Sequence, residues 1–159
     1  DMVPVDACRY FFNAKPETQM EFDLGLAVRE DSENPVYYVQ YAHARICTLL
    51  KNLAADGHTV PSPDAVDFSL LTDPTELALI KQIAGYSDIV RLAARDYDPS
   101  FINRYLTDLA AAFHKFYNAC RIKGEAEDLL NARLLLADTA RSVLKNGMEL
   151  IGCSAPEKM

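Results

Sequence analysis

No proline occurs between Ser100 and Ala155, a stretch rich in leucine and alanine, and this absence constrains the fold more than any other feature. A proline inside a helix removes a hydrogen bond and clashes with the preceding turn, whereas leucine and alanine are among the strongest helix formers. The stretch therefore reads as long helices. Upstream, five of the eight prolines fall within residues 35–99, and three of them stand where a helix should open. Asn34-Pro35 sets a capping residue before a proline whose missing N–H costs nothing at the first helical position. Thr72-Asp73-Pro74-Thr75-Glu76 adds a capping box, with Glu76 three residues after Asp73. Asp98-Pro99 is the third start.

Apolar periodicity fills in the elements. Val36, Val39, His43, Ile46, Leu50 and Leu53 recur at +3 and +4, the stripe of an amphipathic helix over Pro35–Ala55 that should end near Asp56-Gly57. Residues 57–72 form the one long irregular connection. The next helix carries Leu77, Ile80 and Ile83 and stops at Gly85, and a short one follows over Ser87–Arg95. Ile102, Leu106, Leu109, Phe113, Phe116 and Cys120 mark a long stripe that Gly124 breaks. The last helix points Ala126, Leu130, Leu134, Ala137, Ala140 and Leu144 inward and ends at Asn146-Gly147, with room for one more turn over Met148–Ile151. Arg9–Asn13 leans helical, Met20–Leu26 is undecided, and no segment alternates with period two for long enough to be a strand. The predicted fold class is all-α: a helical bundle of about five main helices, preceded by a smaller amino-terminal piece.

At 159 residues, half hydrophobic and a quarter charged, the chain is long enough for one well-filled core. It has no run apolar enough to span a membrane, Asp1-Met2-Val3-Pro4 has neither the basic start nor the apolar stretch of a signal peptide, and the missing initiator Met raises the expectation of a piece cut from something longer. Cys8, Cys47, Cys120 and Cys153 are too scattered for a metal knuckle or a redox pair, so reduced, buried thiols and a cytoplasmic setting are expected. The net charge of −7 comes wholly from residues 1–75, which excludes attraction of nucleic acid by bulk charge but leaves local contacts open. Catalytic constellations are missing: there is no Gly-rich phosphate loop, no H-E-x-x-H and no G-x-S-x-G. His43, His58 and His114 are dispersed, and His43 lies on an apolar stripe, the place of a core histidine. Neither a catalytic residue nor a metal ligand is expected.

One feature of Pro35–Ala55 goes beyond a bundle. Tyr38, Tyr41, Arg45, Thr48 and Asn52 form a second stripe on the far side of the helical wheel from the aliphatic one. Either another helix covers this stripe, making the chain a structural or protein-interaction bundle without RNA binding, or it is a stacking platform. Unpaired bases need such rings for their π-faces and a guanidinium nearby for their phosphates.

Asn34-Pro35-Val36-Tyr37-Tyr38-Val39-Gln40-Tyr41-Ala42-His43-Ala44-Arg45 resembles the N-P-V-Y-Y-V-Q-Y-A-H-A-R signature of bacterial arginyl-tRNA synthetases. Val5-Asp6-Ala7-Cys8-Arg9-Tyr10-Phe11 is similar to the D-A-x-R-[FY] segment that follows their catalytic domain. Phe22-Asp23-Leu24 agrees, and Ala155-Pro156-Glu157-Lys158-Met159 matches their usual ending. The helical region between, with Phe116-Tyr117-Asn118 and Asn146-Gly147, resembles the anticodon-binding domain called DALR.

The resemblance implies a division at residue 33: residues 1–33 would end the region after the catalytic domain, and 34–159 would be the DALR domain. It implies tRNA as partner, through the anticodon stem-loop of an arginine tRNA, together with the catalytic domain of the same enzyme. That parent would use ATP and magnesium to attach arginine. Neither the H-I-G-H-type nor the K-M-S-K-S-type motif of that chemistry occurs here, so the fragment should carry no cofactor and be inactive alone. Carried over by position, the anticodon contacts would be Tyr38, Tyr41, Arg45, Tyr117 and the terminal Met159.

Overall fold

The computed structural model describes residues 3–17, 19 and 21–159; Met20, from the undecided stretch Met20–Leu26, lies outside the described residues. Seven α-helices are described: α1 Val5–Ala14, α2 Leu24–Ala27, α3 Pro35–Ala55, α4 Pro74–Ala84, α5 Tyr86–Asp96, α6 Ser100–Ala119 and α7 Glu127–Leu150. Between α3 and α4 the chain makes two single 3₁₀ turns, Pro63–Ala65 and Phe68–Leu70, and no strand occurs among the described residues. Helices α3 to α7 are the five main helices the proline and apolar patterns predict. None of the described helices is long and apolar enough to cross a membrane.

Helix α6 is the axis of the bundle and packs against α1, α3, α4, α5 and α7. Its whole predicted stripe, Ile102, Leu106, Leu109, Phe113, Phe116 and Cys120, is buried. The α3 stripe behaves likewise: Val36, Val39, Ile46 and Leu53 are buried and Leu50 is half-buried. His43 is the expected core histidine, its Nδ1 2.8 Å from the Pro156 carbonyl oxygen. The amino-terminal piece shares this core. Tyr10 of α1 is buried and donates its hydroxyl to the Asn103 carbonyl at 2.9 Å, while Asn103 Nδ2 donates to the Tyr10 carbonyl at 3.0 Å.

Four expectations are corrected. Asn34 occupies the cap position of α3, but its side chain does not cap; Nδ2 donates backwards to the carbonyls of Arg29 and Ala27, at 2.9 and 3.4 Å. In α4, Leu77 and Ile80 face outward while Glu76 and Leu79 are buried. The capping box explains this rotation. Glu76 Oε2 accepts the Asp73 backbone N–H at 2.8 Å, and Oε1 accepts Arg133 Nε of α7 at 2.6 Å, so the carboxylate is drawn under α7. Ala126 is exposed and stands before α7 rather than inside it. Gly147 does not end that helix. A Cβ there would lie 2.7 Å from Leu106 Cδ2, so this glycine allows α7 to approach α6 closely, and the helix runs on to Leu150. The turn comes at Gly152, whose φ of +73° suits a residue without a Cβ.

Beyond Gly152 the chain folds back over α1 and α3. Asp6 Oδ2 accepts Gln40 Nε2 at 2.8 Å, the Ser154 backbone N–H at 3.2 Å, and the Ser154 hydroxyl. Ala155 packs against the core. All four cysteines are free; Cys120 and Cys153 are buried, Cys8 and Cys47 half-buried.

Candidate nucleic-acid interface

Helix α3 buries its aliphatic side against α6, α7 and α1, which leaves the Tyr38–Asn52 stripe at the edge of the bundle. There it meets the outward row of α6 formed by His114, Tyr117 and Asn118, spaced at +3 and +4 and so on one helical face. The two rows interlock. The Arg45 guanidinium carbon stands 4.1 Å from the centroid of the Tyr117 ring and 6.0 Å from that of Tyr41, a cation–π arrangement with both. Tyr37 and Tyr41, one turn apart, lie nearly parallel, with centroids 6.3 Å apart and planes 6° from each other.

His114 fills the angle between the tyrosines, 5.1 Å from the Tyr38 ring and 5.9 Å from the Tyr41 ring. Arg45 Nη1 donates to His114 Nδ1 at 3.4 Å. An arginine has no acceptor to offer, so Nδ1 is the lone-pair nitrogen and Nε2 carries the proton. Burial, with the Arg45 charge added, pushes the His114 pKa down to about 4, and the ring is neutral at physiological pH. Its Nε2 is buried with no hydrogen-bond partner among the described residues.

Tyr41 and Arg45 form a wall between two hollows. One, of about 280 Å³, is lined by Tyr41, Arg45, Thr48, Tyr117 and Met159 among others. The other, of about 380 Å³, lies between Ser32, Tyr37, Tyr41, His114 and Asn118, with Tyr38 at its back. Of the five residues carried over from the resemblance, four thus surround the first hollow, although they come from α3, α6 and the end of the tail. Tyr38 is set apart: it is half-buried against His114 and packs on the core, and that burial raises the pKa of its phenol. Tyr41, by contrast, is 42% exposed.

Sequence reasoning missed Tyr37, His114 and Asn118. Tyr37 lies one turn before Tyr41 at the border of the second stripe, so its spacing from Tyr41 was a usable signal. His114 and Asn118 share a face with Tyr117, and that spacing was a usable signal once Tyr117 was singled out. Among the described residues no group of three or more His, Cys, Asp and Glu side chains is placed to hold a metal ion.

The fold and this cleft define an all-helical domain with a ring-lined, single-cation face. The model of the DALR anticodon binding domain matches residues 39–159, and the chain belongs to that family. More particularly, it is similar to the arginine–tRNA ligase of Ruminiclostridium cellulolyticum, 50% identical over 155 residues, which covers 97% of this chain and 28% of the relative. The arginine–tRNA ligase of Acetivibrio thermocellus is 48% identical over the same shares. Among solved structures, the Thermus thermophilus arginyl-tRNA synthetase superposes with a TM-score of 0.82 at 29% identity, over 97% of this chain and 26% of that one. The Plasmodium falciparum arginyl-tRNA synthetase gives 0.82 at 25% identity, over 99% and 27%. The chain therefore spans a little over a quarter of the length of the curated relatives it matches.

Proposed function

We propose that the chain reads the anticodon loop of an arginine tRNA, as the RNA-reading part of a longer cytoplasmic enzyme that attaches arginine to that tRNA with ATP and magnesium. The observation that carries this reading is the first hollow. Tyr41, Arg45, Tyr117 and Met159, from three distant parts of the chain, converge on a space open to one flat, unpaired base. In this reading Tyr41 stacks on the base and Tyr117 closes the far side. Arg45, flat against Tyr117, extends the stacking surface, and Met159 supplies a soft apolar lid. Tyr38 supports the wall from behind.

The adenylate chemistry belongs to the parent. The chain has neither class I signature motif and no Gly-rich loop, so its residues do not fit ATP. Residues 34–159 would hold the RNA, and residues 1–33 would lie towards the catalytic domain. Exposed Val5, Phe12 and Leu24 favour such a neighbour on that side. The rival reading of a plain packing face is favoured by Tyr38 and Tyr117, both half-buried and packed against the core.

The test is a titration of the purified chain with an arginine-accepting anticodon stem-loop and a non-cognate one at the same salt. The cognate loop should bind about tenfold tighter or better, the discrimination of one well-read base. Equal affinities would overturn the reading.

A further inference from the structure

The carboxyl-terminal tail, residues 151–159, lies beyond the last helix and forms no strand, and a chain end of that kind is ordered only where something ties it down. Two helices do so through their polar stripes. On α1, Asp6, Arg9 and Asn13 are spaced at +3 and +4 and share one face. Asn13 Nδ2 donates to the Ile151 carbonyl at 3.0 Å, and Arg9 Nη1 donates to the Gly152 carbonyl at 2.6 Å. Asp6 Oδ2 accepts the Ser154 backbone N–H at 3.2 Å and its hydroxyl. On α3, Gln40 Nε2 donates to the Ser154 carbonyl at 3.1 Å. His43 Nδ1 carries a proton, because a carbonyl has none to give, and donates to Pro156 at 2.8 Å.

All but one of these bonds end on a backbone atom of the tail. They fix which residue lies where along α1 and α3, whatever side chains the tail carries. Cys153 and Ala155, between the bonded residues, turn into the core. After Pro156 only Glu157, Lys158 and Met159 remain, and Met159 lines the hollow beside Tyr41, Arg45 and Tyr117. A chain advances at most about 3.3–3.6 Å per residue, so a slip of one residue at Pro156 displaces Met159 by about as much, enough to take its side chain off the hollow. Covering the core accounts for Cys153 and Ala155. It does not account for the polar side chains of two helices being committed to the backbone of one short tail.

We propose that Asp6, Arg9 and Asn13 of α1, with Gln40 and His43 of α3, form a clasp that sets the register of the tail and so places Met159 in the first hollow. They are positioning residues, since none of them lines that hollow. What the hollow holds rests on the anticodon reading above; the clasp itself does not.

Two measurements on the same variants separate the clasp from its ligand. The first is the methyl resonance of Met159 in isotope-labelled chain without RNA, assigned through Met159→Ala and shifted by the nearby Tyr41 and Tyr117 rings. Asp6→Ala, Gln40→Ala and His43→Ala should move it most of the way to its position in a free Ala155–Met159 peptide. Asp6→Asn and His43→Asn, which keep an acceptor and a donor in place, should leave it where it is. The second is affinity for an arginine-accepting stem-loop. The alanine variants should bind about three- to tenfold more weakly and the asparagine variants within about twofold of wild type. In a Met159→Ala background the alanine losses should vanish, because the clasp then has nothing to place. His43 is fully buried and its truncation also lowers stability, so half-buried Asp6 and Gln40 decide. The proposal is overturned if the resonance stays in place in Asp6→Ala and Gln40→Ala, or if their binding losses persist undiminished without the Met159 side chain. A moved resonance with unchanged affinity would keep the clasp and remove Met159 from the anticodon reading. If wild-type chain does not bind the stem-loop, that reading fails, and the methyl resonance still decides the clasp.

Discussion

Tyr38 and Tyr41 look equivalent on a helical wheel, and replacing each with alanine should give opposite results. Tyr38 is half-buried, touches the His114 ring at 5.1 Å and packs on the core. Truncating a fully buried aromatic costs about 3–5 kcal/mol, so half that burial plus the lost ring contact comes to about 2–3 kcal/mol. For a chain of this size that lowers the melting temperature by roughly 4–12 °C. Tyr41 is 42% exposed, and its ring neighbours Tyr37 and His114 are half-buried. Its loss should cost under about 1 kcal/mol of stability, partly offset by the better helix propensity of alanine. For RNA the order reverses. Removing a stacked ring costs about 1–3 kcal/mol of binding, roughly a 5- to 150-fold weaker stem-loop complex. Tyr41→Ala should show that loss in fluorescence anisotropy with nearly normal thermal melting, and Tyr41→Phe should retain most of the affinity. If Tyr41→Ala melts as early as Tyr38→Ala and binds the stem-loop normally, the face is a packing surface and the stacking argument is wrong.

Gly147→Ala should destabilise the chain by about 1–3 kcal/mol in urea unfolding, because the new methyl meets fully buried Leu106. On an open helix surface the same change would stabilise by up to about 1 kcal/mol, so a higher midpoint would refute the close approach of α6 and α7. Arg133→Met strands the buried Glu76 carboxylate and should cost about 3–5 kcal/mol, less in a Glu76→Gln background; equal losses in both would show that the pair is not coupled. Acid should weaken the fold before most carboxylates titrate. The unfolded chain protonates His114 below about pH 6.5, whereas the folded ring does so only near 4, so stability falls as the pH drops through that window, by roughly 1–2 kcal/mol once screening at a half-buried ring is allowed for. His43, whose pKa is lowered chiefly by burial, acts with the same sign, and His114→Gln should therefore flatten part of the pH dependence of the urea midpoint but not all of it.

What the sequence made legible is what one helix decides by itself. The α6 stripe was readable because burial on the central helix follows its own 3.6-residue period, and each of Ile102, Leu106, Leu109, Phe113 and Phe116 obeys it. The errors fall where a partner decides. Leu77 and Ile80 fit the period of α4 as well as Leu79 does, and the choice was made by Arg133, 57 residues away, drawing Glu76 inward. Asn146-Gly147 has the composition of a helix stop, but its meaning depends on Leu106 across the crossing. The cleft shows the same division. Tyr41 and Arg45 were visible on α3 alone, whereas the role of His114 exists only where α6 crosses it. The tail is a third case. Its ending marked Met159, but not that Pro156 is held by His43 and Ser154 by Asp6 and Gln40. Deleting Ala155–Met159 would orphan His43 and uncover core, so only the single change Met159→Ala separates a base contact from a structural one.

The acidity of the chain and its proposed partner are compatible only if affinity comes from stacking more than from charge. With a net charge of −7, long-range attraction is against the complex, and each phosphate contact must be supplied locally. The two hollows share a single cation, and Arg45 spends its planar face on Tyr117 and a donor on His114. A guanidinium held in this way adds to the stacking surface while its charge stays partly engaged. Other cations stand nearby: Arg121 and Lys123 past Tyr117, with Lys123 paired to Asp56 at 2.6 Å, and Lys158 next to Met159. If the proposed complex forms, few counterions should be released, and the salt dependence of stem-loop affinity should be shallow for an RNA-binding surface. In that reading, discrimination between loops would be left to the shape and edges of the base against Tyr41, which is the property an anticodon reader requires.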